Sequence, residues 1–132
     1  MTAISMPPGG AIDSRSVYAR VVASAALSGH RVVIPEVDGT ARYASAANLF
    51  DMPGPLHLMV GALAGGASGD ALVLGALSEP TWAWAGGQPI YLGLNGQLTQ
   101  VPAASAAFVV VVAVAVAPTV LFYNPGAPIA LT

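Results

Sequence analysis

The sequence predicts an all-β domain: a small barrel or sandwich of about seven to eight short antiparallel strands behind an extended N-terminal arm. Three observations carry this. Val110, Val112, Val114 and Val116 alternate with Ala113, Ala115 and Ala117, the period of two that belongs to a strand. Asp38-Gly39 and Asn95-Gly96 each stand between apolar runs, and both dipeptides accept the positive φ of tight hairpin turns. From Gly29 onward, turn residues recur roughly every ten positions, with no heptad pattern and no exact internal repeat.

The elements follow in chain order. Met6-Pro7-Pro8-Gly9-Gly10 closes a Pro/Gly-rich opening that reads as an extended arm. Arm and lead-in take residues 1–28, and the β domain takes residues 29–132. Residues 13–28 read two ways. Asp13 or Ser14 caps a short helix with Val17, Val21 and Val22 on one face, or the same residues begin a strand. Residues 30–34 and 41–43 flank the Asp38-Gly39 turn. Pro35 lacks an N–H and places its strand at a sheet edge. Residues 44–55 form an irregular link hinged at Pro53-Gly54-Pro55. A strand follows at residues 56–60, then a glycine turn at 65–70 and a return strand at 71–74. Residues 78–87 are a loop or bent strand. Residues 89–92 and 97–100 flank Asn95-Gly96. The Val/Ala strand, a strand at 119–123 and a last edge strand at 127–131 complete the domain.

Composition narrows the function. Hydrophobic residues make up 55% of the 132 and charged residues only 8%, against about 25% in ordinary soluble domains. Past Glu79 there is no Asp, Glu, Lys, Arg or His, so that stretch offers no side chain for acid–base chemistry, ion binding or phosphate binding. So little charge leaves much of the surface to lie against other protein. A membrane is the competing cover, and residues 103–123 are uncharged and apolar throughout. Their period of two and the break at Pro118 favour a buried strand over a spanning helix. Residues 21–27 after Arg20 are too short for a secretory h-region and run into His30-Arg31, so no signal peptide is expected. A net charge of −2, with Arg15, Arg20, Arg31 and Arg42 the only strong cations, gives no footprint for nucleic acid.

Candidate chemistry is sparse. The absence of cysteine excludes disulfides, thiol catalysis and cysteine-ligated zinc. His30 and His57, the only histidines, show no triad arrangement with Ser28 or Asp51, and two histidines fall short of a metal site. Residues 65–70 are glycine-rich without the lysine of a P-loop. Asp38, Asp51 and Asp70 lack the alternating oxygen ligands of a calcium loop. No catalytic residue, cofactor or metal is expected. Trp82 and Trp84, two apart, share a face on a strand. They serve either as a platform for a sugar ring or partner, or as a cap on one end of the core; the area of an indole that needs burying favours the cap.

Glu79-Pro80-Thr81-Trp82-Ala83-Trp84, Gly87-Gln88-Pro89-Ile90-Tyr91-Leu92-Gly93 and Asn95-Gly96-Gln97-Leu98-Thr99-Gln100 form a series. Leu27-Ser28-Gly29-His30-Arg31-Val32-Val33 stands upstream, and Pro128-Ile129-Ala130-Leu131 ends the chain's last pair of strands. Together they resemble small β-rich virion proteins of tailed bacteriophages, found as capsid cement (head decoration) proteins or related structural proteins. The resemblance covers most of the chain and implies a non-enzymatic structural role. It implies binding to the outer surface of a lattice of major capsid proteins, on a virion assembled in the host cytoplasm. The expected partners are the major capsid protein and copies of the chain itself, as dimer or trimer, with no nucleic acid and no membrane. The candidate partner interface is Met6, Pro7, Pro8, Ile12, Trp82, Trp84, Tyr91, Phe122 and Tyr123. The alternative is a tail or fibre domain that binds a host-surface glycan or another tail protein.

Overall fold

The computed structural model describes residues 16–52 and 54–131. Met6, Pro7, Pro8 and Ile12, with the rest of the expected arm, lie outside them.

The chain is all-β. Its strands are β1 (Val17–Val22), β2 (Val32–Pro35), β3 (Ala41–Tyr43), β4 (His57–Met59), β5 (Ser68–Ser78), β6 (Pro89–Leu92), β7 (Leu98–Thr99), β8 (Phe108–Val109), β9 (Val111–Ala117), β10 (Val120–Tyr123) and β11 (Ile129–Ala130). One curled antiparallel sheet runs β3-β2-β4-β5-β10-β9-β6-β7, with β1 also on β5. β8 and β11 form a separate short pair.

β5 is the spine. Its first part pairs with β1 and β4, its last four residues with β10. Gly75 stands at the changeover with φ 144°, and a Cβ there would lie 2.4 Å from the Ser16 hydroxyl. Only glycine allows the strand to swing from one set of partners to the other at this point.

The curl brings the far ends of the sheet together. Residues 44–46 leave β3 and bridge to the β6–β7 hairpin. The Gly96 N–H donates to Ala44 O at 2.5 Å, Ala46 N–H to Gly93 O at 2.9 Å, and Ala107 N–H to Ala46 O at 2.7 Å. An ion pair holds this bridge. Asp51, completely buried, accepts from Arg42 Nη2 at 2.5 Å, from Arg42 Nη1 at 3.1 Å and from the Ser45 N–H at 3.0 Å. Asn48 caps the 3-10 turn Leu49–Asp51 by accepting from the Phe50 N–H.

The main core fills the curl. Val32, Ile34, Leu58 and Leu72 meet Ile90, Leu92, Val110, Val112, Leu121 and Tyr123 across it. Val33, Met59 and Ala71 point to the opposite face, where Ala23 and Leu27 cover them. The β2-β4-β5 half is therefore buried on both sides.

Both expected hairpins form. Gly39 (φ 89°) turns β2 into β3, and Asn95 and Gly96 (φ 51° and 76°) turn β6 toward β7. The β reading of residues 103–123 holds, and among the described residues no helix is long and apolar enough to cross a membrane. Of the expected loop at residues 78–87, Ser78 ends β5 and residues 79–87 form the loop after it. Four details differ from the sequence reading. β1 is a strand, so the sheet begins ahead of Gly29. β5 starts at Ser68, and Gly69 and Asp70 belong to it because β1 pairs there. Pro35 is not on an edge strand: β2 lies between β3 and β4, but β4 pairs only Val32 and Val33, so nothing on that side misses the proline's N–H.

The fourth concerns β9. Val112 and Ala113 are buried in succession, then Ala115, while Val114 and Val116 are 38% and 57% exposed. The pairing with β6 skips Val112: Ile90 faces Ala113, but Tyr91 faces Val111. This bulge flips the phase of the strand. Beyond it the small side chains face the core and the large ones face out.

Candidate functional site

Two surfaces stand out: an aromatic cleft and an apolar sheet face.

The cleft is built on the loop after β5. The Thr81 N–H and hydroxyl both donate to the Glu79 carboxylate, at 3.1 and 2.7 Å. These bonds hold Glu79 below the ordinary carboxylate range. Trp82 N–H donates to Glu79 O and Trp84 N–H to Pro118 O. The Gln100 amide then clamps Ala85 from both sides, donating to its carbonyl at 3.0 Å and accepting from its N–H at 2.8 Å. An irregular segment is thus fastened almost residue by residue.

Opposite it, His30 adopts a positive φ of 61°, unusual for a non-glycine residue. Its ring packs edge-on to Trp82 at 5.2 Å, and Trp82 meets Trp84 at 5.6 Å. His30 Nε2 lies 3.9 Å from Glu79 Oε1. Arg31 donates to Asn95 O at 2.9 Å and lies over the Tyr43 ring. Between these groups opens a cleft of about 450 Å³, lined by His30, Arg31, Trp82, Trp84, Gln97 and Thr99 among others. Both indoles also pack against the main core. They do serve as the expected cap, and they wall the cleft as well. The indole N–H of Trp84 is buried without a hydrogen-bond partner.

The second surface is the outer face of β5-β10-β9-β6. Ala76, Phe122, Val114 and Pro89 stand opposite one another across four strands. Val111 and Tyr91 form the adjoining pair. Phe122 is 37% exposed and Val111 38%, and no strand of this face carries a charged side chain beyond Asp70 of β5.

The expected interface residues divide accordingly. Trp82 and Trp84 meet in the cleft, although on a loop and not a strand. Tyr91 and Phe122 lie on the apolar face. Tyr123 is a correction: it is fully buried, because residues alternate along β10 and Phe122 takes the outward place. Its hydroxyl lacks a partner, and burial pushes its pKa upward. His30, Arg31, Gln97 and Thr99 were not expected at a site. The Asn95-Gly96 turn was the one local signal near them, since it sets Gln97 and Thr99 just past a tight bend.

Chemically the cleft offers aromatic faces, an amide and a guanidinium. Among the described residues no group of three His, Cys, Asp or Glu side chains converges to hold a metal. Comparison with protein-family models, with curated proteins and with solved structures returns no match.

Proposed function

We propose that this chain is a structural protein of a virion, a capsid cement or decoration protein. It binds the outer surface of a lattice of major capsid proteins and stabilises the head. The observation that carries the reading is the outer face of β5-β10-β9-β6. Val111, Val114, Val116 and Phe122 are displayed there together, each more than a third exposed. A face of this kind on a chain with 8% charged residues is suited to permanent contact with protein. The resemblance carried by the motifs of residues 27–33, 79–100 and 128–131 supplies the kind of partner. A repeated lattice also favours self-association of the bound copies as dimers or trimers.

The test is co-sedimentation with capsids lacking the protein, followed by cryo-electron microscopy. Wild-type chain binds at a fixed number of equivalent positions. Val114→Asp and Phe122→Asp, both surface changes that leave the core intact, weaken binding at least tenfold, the loss of one interface hot spot at about 1.4 kcal/mol or more. Wild-type-like binding by both variants sinks the reading. The aromatic cleft favours a second one, a tail or fibre domain; density confined to the tail would select it.

A further inference from the structure

We propose that the Trp82–Trp84 cleft is a binding site for a neutral saccharide. The inference goes beyond the capsid reading and stands on the cleft alone, whichever surface the apolar face covers.

Its volume of about 450 Å³ falls in the roughly 300–1,000 Å³ range of ligand clefts. The lining selects the ligand class. Two indoles and an imidazole supply flat apolar surface, which suits the C–H face of a pyranose ring. Gln97, exposed along the cleft, can both donate to and accept from sugar hydroxyls. Arg31 keeps further N–H groups beyond the one given to Asn95 O.

Other classes fit less well. A phosphate or other anion would find Arg31 as the one strong cation of the lining, and that guanidinium is already committed to Asn95 O and to the Tyr43 ring. An organic cation would meet Arg31, which already lies over Tyr43 at 5.3 Å. A wholly apolar ligand would cover the Gln97 amide and the remaining Arg31 N–H groups without offering them a partner. A neutral, hydroxylated ring has none of these conflicts. The loop is also held rigidly before any ligand arrives, through Trp84 N–H to Pro118 O and the Gln100 clamp on Ala85. A preorganised platform of this kind loses little freedom on binding.

The chain contains only two tryptophans, and both are in the cleft. Its intrinsic tryptophan emission therefore reports on this site alone. The full-length protein is titrated into the millimolar range with cellotetraose, maltotetraose, a mannose tetrasaccharide and N-acetylchitotriose. A saturable emission shift with at least one of them is expected. Gln97→Ala, an exposed change, weakens that response about tenfold with an unaltered circular dichroism spectrum; Trp82→Ala abolishes it. Silence across the panel overturns the proposal. So does a response that Gln97→Ala leaves unchanged, or one given only to a proline-rich peptide, the other ligand that aromatic grooves take. Capsid binding is scored separately, with the Val114 and Phe122 variants.

Discussion

Asp51→Ala removes the centre of the bridge that closes the sheet. The carboxylate is completely buried and accepts two bonds from Arg42, one from the Ser45 N–H and a longer one from Asn48 Nδ2. Breaking a buried ion pair by deleting one partner typically costs about 3–5 kcal/mol. Here the figure is reduced, because the Arg42 side chain is 36% exposed and retains Glu36 at 3.4 Å, so its charge is not stranded. The Ser45 N–H has no such recourse, and an orphaned donor costs about 1–3 kcal/mol. Together these give a loss of about 2–4 kcal/mol, a large share of the 5–15 kcal/mol typical of a domain. Urea denaturation followed by tryptophan emission measures it. Hydrogen exchange localises it: the amides of Ala46, Gly96 and Ala107, which close the bridge, lose protection first. A loss below about 1 kcal/mol, the value of an exposed pair, would refute the assignment of Asp51 as the fastening of the closure.

Two further outcomes follow from one buried and one half-buried group. Tyr123→Phe deletes a buried hydroxyl that has no partner, and is expected to be neutral or to stabilise by up to about 1 kcal/mol; a clear drop in melting temperature would mean that the hydroxyl is bonded after all. Burial lowers the pKa of His57 below its ordinary value of 6.5. The unfolded chain therefore binds a proton that the folded chain refuses, and stability falls as pH drops below 6.5. In His57→Gln the part of the pH dependence between neutrality and mild acid that comes from this residue disappears; an unchanged slope of stability against pH would remove His57 as its source.

What the sequence disclosed was local, and what it concealed was long-range. Asp38-Gly39 and Asn95-Gly96 could be read because positive φ is a property of the residues themselves. The Val/Ala period identified a strand for the same reason. Which face of β9 turns inward depends on the bulge opposite β6, set by pairing between residues about twenty positions apart. The buried Tyr123 and exposed Phe122 are adjacent aromatics, equally plausible as interface until the register of β10 is known. The cleft was half visible. Trp82 and Trp84 announce themselves, but His30 and Gln97 reach them only because the sheet curls. The curl is fastened by backbone bonds between Ala44, Ala46, Gly93 and Gly96, and no side chain there signals that long-range pairing.

The phase of β9 ties the sequence to the proposed role. A domain optimised to stand alone would bury Val114 and Val116 and show water the alanines. Each valine carries about two more carbons than alanine, worth about 0.8 kcal/mol apiece when buried. This chain does the reverse: Ala113 and Ala115 go inward, and the valines stand in the open beside Phe122 and Val111. Close packing explains part of it, since Tyr123 and Leu121 already occupy the space beneath β9 and leave room only for small neighbours. That constraint accounts for alanine inside. It does not account for valine outside, where threonine, also β-branched, would hold the strand about as well and dissolve better. The cross-strand neighbours Phe122, Val114 and Pro89 support one another within the sheet, but the area they leave exposed gains nothing in water. On the reading proposed above this face lies against a capsid partner, and the variants at Val114 and Phe122 test that directly.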